Sequence, residues 1–78
     1  MTQFGVILFY TTSAVLRAEK ILVKSGYSIK LVPTPRQFSS DCGIALRFDW
    51  KQREQVTTML DEARVEFDAV YFLDTAGI

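Results

Sequence analysis

A chain of 78 residues has room for one small domain, expected to span residues 1–78, and such a domain needs an apolar interior, supplied here by 49% hydrophobic residues including six Phe. Nine basic residues cancel nine acidic ones, which argues against a nucleic-acid binder held by phosphate contacts. The absence of histidine and the single cysteine, Cys42, exclude Ser-His-Asp and Cys-His catalysis, most zinc sites, two-cysteine redox motifs and any intramolecular disulfide.

In chain order, the apolar run from Gly5 to Tyr10 is too short for a usual helix and reads as a buried strand. Thr12 or Ser13 is placed to cap a helix whose apolar face is Ala14, Ala18, Ile21 and Leu22. Arg17, Lys20 and Lys24 fall on another face, and Gly26 is positioned to end the helix in the left-handed conformation. Ser28 to Pro33 follows as a strand closed by a residue that cannot donate to a ladder.

Ile44, Leu46 and Phe48 alternate with Ala45, Arg47 and Asp49, the clearest period of two in the chain. Asp49 with Gln52 resembles a capping box, and Val56, Met59, Leu60, Ala63 and Phe67 then predict a helix of about four turns. Asp61, Glu62 and Glu66 give this half of the chain its acidic face, read as solvated. Ala69 to Leu73 is a last strand, and Asp74, Thr75 and Gly77 form the tail.

The order βαββαβ predicts a ferredoxin-like α+β fold, with a four-stranded antiparallel sheet and two helices on one face. The first and third strands are expected in the centre. "GVILFY" and "AVYFL" are apolar on both faces, so the helix-free face is expected to present Ile, Phe or Tyr, which a homodimer would cover.

Other chemistries find no support. Gly5, Gly26, Gly43 and Gly77 are too scattered for a phosphate-cradling loop, and Asp61 and Glu62 point about 100° apart on a helix. The RNA-binding proteins that share βαββαβ stack bases on third-strand aromatics, where this chain has Ile44 and Leu46. No nucleic-acid partner is therefore expected. The lone thiol, the lack of any run of about 18 to 20 apolar residues and a start, "MTQFGVILFY", without a basic leader predict a soluble cytoplasmic protein with no membrane partner.

From the end of the second strand into the third runs "VPTPRQFSSDCGIALRF". Its connection, Thr34 to Gly43, is longer than a hairpin needs, and such loops are often functional. Thr34 before Pro35 suggests a cap with proline at the first helical position and a short helical turn through Arg36 and Gln37. Phe38 would fold inward as an anchor and leave Ser39, Ser40 and Asp41 exposed, while Gly43 supplies backbone freedom and space. Arg36 is the only local cation and Asp41 opposes it, so the local charges favour neither form of the thiol. Cys42 is therefore either an accessible single-thiol nucleophile or a small buried hydrophobe heading a strand.

The same run closely resembles the signature of a bacterial domain family of selenium/sulfur carrier protein-like chains. "ILFYTTSAVLRAEKILVKSGYSIKLVPTPR" fits it as well, so the resemblance covers nearly the whole chain. It implies that Cys42, with Gly43 after it, carries sulfur or selenium as a persulfide or its selenium counterpart. It also implies that Pro33, Pro35, Arg36 and Ser40 shape the surroundings. The partners implied are sulfur or selenium donor and acceptor proteins, of TusA-like or cysteine desulfurase type, with no metal and no cofactor beyond the cargo. Such a chain is a carrier rather than an enzyme. The reading from another class is a dimeric interaction or small-ligand regulatory module with a structural cysteine.

Overall fold

The computed structural model describes residues 3–38 and 43–73. Its elements are β1 (Phe4–Leu8), α1 (Thr12–Lys24), β2 (Ile29–Pro33), β3 (Ile44–Asp49), a short 3-10 helix (Trp50–Gln52), α2 (Arg53–Glu62) and β4 (Ala69–Leu73). The strands form one antiparallel sheet in the order β2-β3-β1-β4. This is the expected ferredoxin-like α+β fold, with the first and third strands central.

The register sorts the side chains. Opposed residues in an antiparallel pair share a face, so Ile7, opposite Leu46 and Val70, points to the same side as Phe48, opposite Gly5. On that side Ile7, Phe9, Leu46 and Phe48 meet Val15, Ala18 and Leu22 of α1 and Val56 and Leu60 of α2 in one buried cluster. Gly5 belongs here because the space for a side chain is taken: a Cβ would lie 2.5 Å from the Trp50 ring and 2.6 Å from the Phe48 ring.

Both helices end alike. In α1 the Gly26 N–H donates to the Val23 carbonyl and the Tyr27 N–H to the Leu22 carbonyl, each at 3.0 Å, with Gly26 at φ 90°. This is the Schellman arrangement that satisfies carbonyls left without helical partners. In α2 the Arg64 N–H donates to Asp61 at 3.0 Å and the Val65 N–H to Leu60 at 2.9 Å, with Arg64 at φ 58°.

That second motif corrects the expected length of α2. The apolar spacing runs on to Phe67, but the helix stops at Glu62, because Val65 turns back onto the core beside Leu60 and is 3% exposed. Phe67 still packs on the core, from the segment after the helix. Asp49 does cap, accepting from the Lys51 N–H at 3.0 Å, but it starts the 3-10 helix rather than α2 itself. At α1 the cap is Thr11, one residue ahead of those expected: its Oγ1 accepts from the Ala14 N–H at 3.2 Å. Thr11, Thr12 and Ser13 all carry a hydroxyl, so backbone conformation chooses among them, and Thr11 is the extended one, at φ −138° and ψ 155°.

Among the described residues no helix lies on the other side of the sheet. Val6, Leu8 and Ala45 are nevertheless buried there, in a second cluster joined by Val32 and by Phe38 from the loop after β2. The expectation of an open apolar face is thus met only in part. Tyr71 keeps 42% of its surface exposed, while its neighbours toward the sheet centre lie under cover. Among the described residues no helix is long and apolar enough to cross a membrane.

Candidate functional site

The connection from β2 to β3 begins beyond the ladder pair Pro33 and Ile44. Its neck is closed by one further backbone bond, from the Thr34 N–H to the Gly43 carbonyl at 3.1 Å. A turn comes next. Pro35 stands at its head, Arg36 and Gln37 are its central residues, and the Phe38 N–H donates to the Pro35 carbonyl at 3.0 Å. The result is the expected short turn through Arg36 and Gln37, closed by this one bond.

Phe38 then leaves the turn toward the sheet, as the sequence suggests. Its ring stacks on Tyr71 of β4 with centroids 4.4 Å apart and planes 10° from parallel, and it packs on the Val6, Leu8 and Ala45 cluster. The loop is therefore fastened at two places: at its neck by a hydrogen bond and at its middle by an aromatic pair.

The expected site residues divide accordingly. Pro33 ends β2 and is exposed, Pro35 is half-buried, and Arg36 stands exposed in the turn. Gly43 is exposed with open space where a Cβ would sit, so the expected room beside it exists. The other reason given for a glycine there does not hold, because its backbone stays outside the left-handed region that Gly26 occupies. Cys42, Ser40, Ser39 and Asp41 lie outside the described residues. Tyr71 was not among the expected site residues; the signal for it was the double-faced apolar run "AVYFL".

Topology gathers further segments at this end of the sheet. Leu8, the last residue of β1, lies opposite both Ala45 and Ala69, and its carbonyl accepts from the Asp68 N–H at 2.7 Å. Tyr10, just beyond, is 52% exposed. It borders an open hollow with Asp61, Arg64, Val65, Glu66 and Phe67. Among the described residues no group of His, Cys, Asp or Glu could hold a metal ion.

Fold and loop together define a small α+β domain of ferredoxin-like topology whose second and third strands are bridged by a fastened loop carrying the chain's only cysteine. A family model described as "Putative Se/S carrier protein-like" matches residues 4–72, and the chain belongs to that family. No curated protein and no solved structure matches the chain.

Proposed function

We propose that this chain is a carrier that holds one sulfur or selenium atom on Cys42 and passes it between partner proteins in the cytoplasm. The observation that carries the reading is the family match over residues 4–72, a span that contains the cysteine and the whole loop. The loop's fastening supports it: Ser39 to Cys42 stand in the chain between two fixed points, Phe38 on Tyr71 and Gly43 on Thr34. Tethers of this kind lower the entropy lost when a partner engages the segment between them.

The chemistry needs only one thiol. The Cys42 thiolate attacks the outer sulfur of a donor persulfide, the donor's S–S bond breaks, and the donor leaves as its thiolate. Cys42 is then the persulfide, and an acceptor thiolate repeats the step on it, taking the outer sulfur and returning Cys42 to the thiolate. Electrons balance within each exchange, so no external oxidant or reductant enters, and selenium in the outer position follows the same course. Arg36 supplies positive charge near the loop, while Pro33 and Pro35 stiffen its approach. Donors of cysteine desulfurase type and acceptors of TusA-like type fit this role.

Intact-mass spectrometry tests the proposal. After incubation with a cysteine desulfurase and free cysteine, the chain is expected to gain the mass of one sulfur, lost again on reduction with a thiol. Cys42→Ser is expected to gain none while keeping its unfolding midpoint. Resistance of native Cys42 to alkylation, with reaction only in denaturant, would overturn the reading, since a buried thiol cannot exchange sulfur.

A further inference from the structure

At the end of the sheet away from the loop, the β2 and β3 register sets Lys30 directly opposite Arg47 on the helix-free face. Like charges facing across an antiparallel pair repel. By strand alternation Asp49 is the only acid among the described residues of that face, and its Oδ1 is turned to the Lys51 N–H at 3.0 Å. Two cationic residues thus stand opposite each other in a chain whose overall charge is zero.

Arg47 also meets an aromatic ring. Its guanidinium carbon lies 4.3 Å from the centre of the Phe4 ring, a cation–π contact made by a group with five N–H donors. Beside it opens a recess of about 220 Å³, lined by Phe4, Ser28, Ile29, Lys30 and Arg47. The charged donors there are a guanidinium and an ammonium, joined by one hydroxyl, and no carboxylate lines the recess.

We propose that this recess binds an oxyanion, a phosphate or carboxylate group whose charge relieves the Lys30–Arg47 repulsion and whose oxygens accept from both side chains. The site is separate from the loop, and the inference does not depend on Cys42.

The test is an NMR titration of the full chain with sodium phosphate and, separately, sodium acetate, each against sodium chloride at equal ionic strength. Saturable shifts are expected at the amides of Ser28, Ile29, Lys30 and Arg47, with affinity at least tenfold weaker in Lys30→Gln and in Arg47→Gln. Preference for phosphate identifies a tetrahedral group on a small ligand, and preference for acetate identifies a carboxylate of the kind borne by protein side chains. A second measurement reads the repulsion itself. In low-salt buffer without oxyanions Lys30→Gln is expected to unfold at a higher temperature than the wild type, and added phosphate is expected to raise the wild-type midpoint but not the variant's. Shifts no greater than those in chloride, or shifts that survive both substitutions, overturn the proposal.

Discussion

Two residues show how a backbone position and a side chain constrain each other. Gly5 sits in a central strand, where glycine is normally unfavourable, because the rings of Trp50 and Phe48 occupy the volume a Cβ would need. Gly5→Ala is expected to lower the unfolding free energy by about 2 kcal/mol, the usual range for overpacking a dense core, as read by urea denaturation. Arg64 is the opposite case. It holds the left-handed position of the α2 Schellman motif at φ 58°, which costs a side-chain-bearing residue roughly 1 kcal/mol or more. Gly26 occupies the equivalent place after α1 at φ 90°. Arg64→Gly is therefore expected to raise stability by about 0.5 to 1 kcal/mol in the same assay. The pattern of apolar residues does not reveal this motif, since Val56 to Phe67 keeps helical spacing across the break. The clue that sequence supplies for α1, a glycine after the last turn, is missing from α2.

Among the elements, the loop from β2 to β3 changes what the sheet exposes. Alternation within Ile44 to Phe48 and the apolar runs of β1 and β4 are enough to reveal the strands and their order, because each strand's pattern depends on its own residues. What covers the second face depends on a contact between residues far apart in the chain, Phe38 and Tyr71. Phe38 is readable as an anchor, yet its partner is not, and Gly43 is readable as a loop glycine for a backbone reason it does not use. Of the candidate site, the loop and its proline turn were legible; the Phe4, Lys30 and Arg47 grouping was not, because it comes from three strands in register. The stacked pair can be weighed by a double-mutant cycle. Phe38→Ala and Tyr71→Ala are each expected to destabilise, with a coupling energy of about 1 kcal/mol beyond simple burial, measured by denaturant unfolding.

For the whole molecule, the helix-free face is divided. One half is apolar and capped by Phe38, and the other carries Lys30 and Arg47. A homodimer formed through this face would take two such cation pairs out of water, a cost that counter-anions reduce. Association through it is therefore expected to strengthen when phosphate replaces chloride at equal ionic strength and to weaken in Tyr71→Lys, as followed by sedimentation equilibrium. The β2–β3 ladder also acts as a ruler. It joins the neck at Thr34 and Gly43 to the cation pair at Lys30 and Arg47 by four steps of regular strand, or about 14 Å at the usual rise per residue. Both marks sit on the same pair of hydrogen-bonded strands, so bending cannot easily change their spacing. A partner that gripped the cationic end with an acidic group would have its reach to the loop neck set in advance by this ladder.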